Sequence, residues 1–538
     1  MNKYQLIILP AVFSLLLTIH SYSQVWISDQ GNGTYKSPVL HADYSDPDVC
    51  RAGNDFYMTA SSFNCVPGLP VLHSKDLMNW TLINYALPKL SYAEGFDKPQ
   101  HGKGVWAPCI RYHKGEFYIY FPDPDHGIYM IKTNDPAGVW SEPVLVKGGK
   151  GLIDPSPLWD DDGKVYLTYA FAGSRAGIKS LLMVCSMNEE GTRTLDDDVI
   201  VFDGHDEHPT IEGPKFHKRN GYYYIFAPAG GVSTGWQLVL RSKNVFGPYE
   251  HRVVMDQGTT KINGPHQGAW VELDNGENWF FHFQDKGAYG RIVHLQPMVW
   301  KNDWPVIGED KKNTGKGEPV SVHKKPNVGK TYPKSSPPES DEFNDNTVGL
   351  QWQWHANPQP YWAYPMPLRG QLRLFAYPLP EGFKNFWDAP NLLLQKLPAP
   401  AFQATTKITF TPRFEGEKTG LIVMGRDYAY VSVRNKDGKL RISQVVCANA
   451  DKAGEEAEYG EMVLKTSTFY LRIKVVGDAL CEFSYSEDGK NFKNIGQPFK
   501  AREGMWIGAK VGLFCTSEKK TNDAGNADVD WFRVEKIN

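Results

Sequence analysis

Five turn glycines, Gly53, Gly115, Gly163, Gly221 and Gly276, punctuate the first half of the chain. They recur at roughly 50 to 60 residues, the length of one four-stranded propeller blade. Each opens an aromatic, period-two run such as Tyr222-Tyr223-Tyr224-Ile225-Phe226, the pattern of a strand after a tight turn. A short motif precedes each one: Asp46-Pro47-Asp48, Trp106-Ala107-Pro108, Asp154-Pro155-Ser156, Glu212-Gly213-Pro214 and Asn263-Gly264-Pro265-His266. Few folds accommodate such a repeat. Five blades around an axis would bring Asp46, Trp106, Asp154, Glu212 and His266 from the innermost strands to one pocket, although they are far apart along the chain.

At 538 residues the chain exceeds one ordinary core, and two domains are expected. Residues 1–23 have a basic start, a short apolar run and small residues near Ser23, and read as a secretory signal peptide, which implies a periplasmic or secreted protein. The apolar run is short for a bilayer span of about 20 residues. The propeller is assigned to residues 24–308. A Lys-, Pro- and Ser-rich linker follows at 309–340, and residues 341–538 form a second all-β domain of short alternating strands, a β-sandwich. A net charge of -3 without long charge runs argues against nucleic acid or an anionic membrane as partner. A monomer is expected. The seven cysteines have no zinc-type spacing and sit in apolar surroundings, so buried thiols are expected, with Cys50–Cys65 the one disulfide considered.

Two carboxyl groups, one protonated and one ionised, are the minimum equipment for hydrolysing a glycosidic bond. Glu212 is assigned as general acid, because its longer stem reaches a leaving oxygen and a neighbouring Asp154 would favour its protonated form. Asp46, on another blade, is the general base that activates water. Asp43 and Asp48 compete for that role, Asp48 reading rather as a turn residue. Asp160, Asp161 and Asp162 fit a hairpin turn. Trp106 either stacks on a sugar ring or packs between blades. His266 either holds an axial cation or water network, or is a core histidine. Arg291 either donates to substrate hydroxyls or forms a surface ion pair.

Together these motifs, with Val105 before Trp106 and Ile153 before Asp154, resemble glycoside hydrolase family 43. Asp341-Glu342-Phe343, the run from Asn391 to Lys396 and Asp528-Val529-Asp530-Trp531-Phe532 are similar to the concanavalin-like, jelly-roll sandwich of its β-xylosidase-type members. The resemblance implies a five-bladed propeller and inversion at the anomeric carbon. It implies Asp46 as base, Glu212 as acid and Asp154 as the residue that tunes and orients the acid. It makes Arg291 the pocket arginine and His266 an axial histidine that contacts a calcium ion through water, with no cofactor required. The implied substrates are α-L-arabinofuranosides and β-D-xylosides of plant cell-wall glycans, and a radial pocket favours terminal residues. Cys109 departs from the pattern, standing where an acidic residue is common. A retaining fructosidase-like enzyme fits less well, since Ser45, Ile153 and Gly213 replace residues of its motifs. A non-catalytic carbohydrate-binding protein on the same scaffold is the alternative of a different class, which retention of all three carboxylates disfavours. The sandwich is expected to brace the propeller.

Overall fold

The computed structural model describes residues 24–537, so the expected leader lies outside the described residues. The described chain is all-β, with a five-bladed propeller followed by a sandwich and almost no helix. Each blade is a four-stranded antiparallel sheet made from one continuous segment, and its strands are used in chain order. The first strands are Asp48–Ala52, Cys109–His113, Leu152–Trp159, Lys215–Arg219 and His266–Glu272, and we number the blades 1 to 5 by them. The first strands of blades 1 to 4 pack in succession and that of blade 5 packs on blade 1, while blade 4 meets the first strand of blade 5 through Tyr222–Ala229.

The turn glycines do what their spacing implies. In blades 2 and 4 the pairs Lys114-Gly115 and Asn220-Gly221 have positive φ at both positions, joining His113 to Glu116 and Arg219 to Tyr222. This two-residue geometry matches the twist of the flanking strands.

No blade is shared between distant parts of the chain, and the ring closes by side-chain packing and by backbone hydrogen bonds of Val39 and Leu40 with Val293 of blade 5. Val49, Phe56 and Met58 of blade 1 share a core with Ala269, Val271 and Phe281 of blade 5, and Tyr35, Val39 and Leu40 complete it. The stretch after blade 5 contributes to this closure. Val322–Lys324 pairs antiparallel with Thr34–Lys36, so what composition marks as a connector also supplies a strand.

The second domain has two eight-stranded sheets face to face. Thr468–Val476 alternates partly exposed and buried along its length, the period expected when one face meets the core. This domain sits astride the seam between blades 1 and 5. On the blade 1 side, Val66 and Trp354 exchange backbone hydrogen bonds of 3.0 and 2.6 Å, and the Asn64 amide donates to the His355 carbonyl at 2.7 Å. On the blade 5 side, the Tyr289 hydroxyl donates to the Pro400 carbonyl at 2.8 Å and accepts from the Ala479 N–H at 2.9 Å. Tyr289→Phe strips both partners in a buried seam and is expected to cost about 1–3 kcal/mol. Urea denaturation checks this: a lower midpoint at unchanged slope is the expected result, and an unchanged midpoint would show that the hydroxyl is not a clasp.

Candidate active site

A cavity of about 260 Å³ opens at the axis, lined by Asp46, Trp106, Asp154, Glu212 and Arg291 together with Phe63, Thr210, Gln267 and Trp506. It is smaller than the ~300–1,000 Å³ of a drug-sized site, a scale suited to one sugar ring.

Local backbone devices aim these residues. Asp46, Phe63, Asp154, Thr210, Gln267 and Trp506 all have φ between 33° and 64°. Non-glycine residues seldom adopt that region, and such strain concentrates at functional sites. The ladder shifts register between Ile153 and Ser156 in blade 3 and between His266 and Gly268 in blade 5. These bulges turn Asp154 and Gln267 out of the strand pattern.

Asp46 is buried and gathers donors. Its Oδ2 accepts from the Ser61 hydroxyl at 2.6 Å and the Ser45 hydroxyl at 2.9 Å. Its Oδ1 lies 3.1 Å from an Arg291 guanidinium nitrogen, which also donates to the Ser45 oxygen at 2.7 Å. Arg291 is thus in the pocket and not at the surface. Asp154 is buried, and its Oδ2 accepts from the Gly213 N–H at 2.7 Å, which ties it to the residue following Glu212. Burial first, and the Glu212 carboxyl second, push Asp154 up to about 8. Asp154 has no solvent to hold its charge, which favours its neutral form. Glu212 keeps a partly exposed side chain, with 23% of its surface open, and faces the cavity.

His266 is fully buried, with Nε2 3.3 Å from Glu212 Oε1, and does not line the cavity. As a direct substrate contact it gives way to a place behind the acid. Its Nδ1 has no hydrogen-bond partner, which would suit a water. The resemblance implies a calcium reached through water, so His266 would hold the ion's water and not the ion itself, which takes six to eight oxygen ligands. The axis below the cavity carries the side chains of Lys215 and Arg111. Lys215 is buried and donates to the Pro108 carbonyl, and Arg111 donates to Asp48 at 2.7 Å. Burial alone would raise Asp48, but Arg111 and Lys215 outweigh it and hold it below the usual range. Among the described residues the metal-type cluster is Glu207, His208 and His251, away from the axis, and there His208 Nδ1 already accepts from the Trp236 indole N–H.

Of the competing aspartates, Asp43 is structural. Its Oδ1 accepts from the Arg291 backbone N–H and its Oδ2 from that of Gly508, both at 2.9 Å, joining the domains beside the pocket. Asp160 is buried and accepts from the Tyr223 hydroxyl at 2.5 Å. Cys109 is buried against Ser156 and does not line the cavity.

Sequence reasoning missed Trp506, which the sandwich sends into the site. It meets Trp106 edge-on at 6.1 Å and lies 5.9 Å from the Arg291 guanidinium carbon. The approach depends on two glycines back to back. A Cβ on Gly508 would lie 2.7 Å from the Gly290 nitrogen, and one on Gly290 would lie 2.4 Å from Asp43 Cγ, so a side chain at either position would push these segments apart. Glycines on both sides of Trp506, at 504 and 508, were the available signal.

Residues 35–305 match glycosyl hydrolases family 43, and residues 340–535 match the beta xylosidase C-terminal concanavalin A-like domain. The chain belongs to family 43. This family 43 enzyme is 39% identical to a putative beta-xylosidase of Xylanibacter ruminicola over 91% of its own length and 87% of that protein's. It is 29% identical to a non-reducing end alpha-L-arabinofuranosidase of Bacteroides ovatus, over 93% and 94%. A crystal structure of a family 43 protein from Bacillus licheniformis superposes with a TM-score of 0.82 at 27% identity, covering 94% of this chain and all of that one. The enzyme is a glycosidase of the xylosidase and arabinofuranosidase type.

The raised Asp154 has a consequence for stability. Unfolded, the carboxyl loses its proton near its ordinary value of 3.8, and folded near 8. Between the two the folded state carries the extra proton, so this group's contribution to stability falls as pH rises through that window. Asp154→Asn is expected to raise the thermal midpoint relative to the parent above about pH 8, with the gain vanishing below pH 4. Calorimetry across pH checks this, and a gain independent of pH would contradict it.

Proposed function

We propose that this glycosidase removes single terminal pentoses, β-D-xylose first and α-L-arabinofuranose second, from plant cell-wall glycans, with inversion. The observation that carries this reading is the small cavity where Asp46, Asp154 and Glu212 converge and Trp506 closes one wall. A closed wall accepts a chain end more readily than a chain interior. The preference for xylose rests on similarity to xylosidases, among them a beta-xylosidase of Formosa agariphila at 32% identity.

In this reading a water attacks the anomeric carbon while Asp46 takes its proton. Oδ1 suits the task, because Oδ2 is already engaged by both serine hydroxyls. Glu212 gives its proton to the leaving oxygen. Asp154, raised by burial and by the neighbouring Glu212 carboxyl, holds a proton beside the acid, and the proton given to the substrate leaves from whichever oxygen faces it. That oxygen belongs to Glu212, the more exposed partner. As Asp154 loses its proton near pH 8, activity falls. Both proton transfers are assigned to carboxyl groups of the chain. The leader-like residues 1–23 support export to the periplasm or medium.

Hydrolysis of an aryl β-D-xyloside and an aryl α-L-arabinofuranoside, with the product anomer followed by NMR, tests the reading. Turnover with inversion is expected. Glu212→Gln should lose about 10²–10⁴-fold on unactivated xylosides and less on aryl glycosides whose leaving group needs no proton. Retention of the anomer, or an equal loss on both leaving groups, would overturn the assignment. Trp506→Ala opens the wall and should raise KM roughly 10-fold or more, the loss of an aromatic contact worth about 1–3 kcal/mol. An unchanged KM would remove Trp506 from the binding surface.

A further inference from the structure

Behind the pocket, where blade 1 meets the sandwich, lies a buried group of chemically active side chains that the reaction does not use. Lys510 is 2% exposed, Cys65 1% and Gln353 1%. Lys510 Nζ lies 3.0 Å from Cys65 Sγ and 2.9 Å from Gln353 Oε1. Lys396 Nζ approaches the same Gln353 oxygen at 3.3 Å. Neither lysine forms an ion pair with a carboxylate among the described residues, and two buried ammonium groups sharing one amide oxygen are costly. Burial first, and Lys510 next, push Lys396 down to about 8. The Lys510 nitrogen, 3.0 Å from the sulfur, is placed to take the thiol proton, and the thiolate is the nucleophilic form. All seven cysteines are unpaired, and Cys50 is not a partner for Cys65.

We propose that Cys65 and Lys510 are a site of oxidative modification, closing under hydrogen peroxide to a sulfenamide bond that joins propeller and sandwich. The thiolate attacks a peroxide oxygen. An S–O bond forms, the O–O bond breaks, and the departing hydroxide takes a proton from the Lys510 ammonium to become water. The amine, now neutral, attacks the sulfenyl sulfur. An N–S bond forms, the S–O bond breaks, and the hydroxyl leaves as water with a proton from the amine. The sum is thiol plus amine plus one peroxide, giving sulfenamide plus two waters.

The bond would span the walls of the pocket. Cys65 is two residues from Phe63 and Lys510 four from Trp506, and both aromatics line the cavity. No other cysteine sits this close to a lysine nitrogen among the described hydrogen bonds, which makes the site selective.

The test uses the full chain exposed to dilute hydrogen peroxide and mapped as peptides without reduction. The expected product is the Cys65 peptide joined to the Lys510 peptide, lighter than their sum by two hydrogen atoms and separated by dithiothreitol. The thermal midpoint should rise with peroxide in the parent and not in Cys65→Ser. Recovery of Cys65 in a peptide of its own, as sulfinic acid or as a thiol that still alkylates, would overturn the proposal. The map is made on the unaltered chain, so it does not depend on any variant folding.

Discussion

Three carboxyl groups placed around one small cavity repel one another and lose the water that would screen them, and each is held by a different device. Asp46 is surrounded by two hydroxyls and a guanidinium. Asp154 is buried against a backbone N–H and retains a proton. Glu212 keeps access to solvent in front, with His266 behind it. Even so, the arrangement is stabilised from outside the pocket. The left-handed backbone at Asp46 and Asp154 is a local cost that only the surrounding blades can offset.

Much of this was legible in the sequence. A glycine turn followed by an alternating aromatic run is a local signal, and its recurrence gives the number of blades. The positions just before those turns sit at the inner edge of each blade for the same reason, which is why five scattered motifs could be read as one pocket. The sandwich was legible from alternation as well, as Thr468–Val476 illustrates.

What escaped depends on contacts between distant segments. Trp506 stands in a short loop whose direction is fixed by Gly290 and Asp43, more than 200 residues away along the chain. Gly504 and Gly508 beside Trp506 signal a close backbone approach, but not that the approach is to a sugar pocket on the other domain. The raised pKa of Asp154 escaped for a related reason: its first cause is burial, and burial is a property of the packed whole. His266 reads as a pocket residue by position, but one bulge turns its neighbour Gln267 to the cavity and leaves the imidazole behind Glu212.

The strand pair Thr34–Lys36 with Val322–Lys324 sets an order of events in time. A ring that shares no blade between distant parts of the chain can build its sheets one after another as the ribosome delivers them, each complete in itself. The opening strand is the exception. Bonded locally to residues 28–30, it must wait while nearly three hundred residues are made, and meets Val322–Lys324 only after blade 5 has emerged. Closure is therefore late and long-range, the slow class of contact in folding. The sandwich, made last of all, then settles over a seam that already exists.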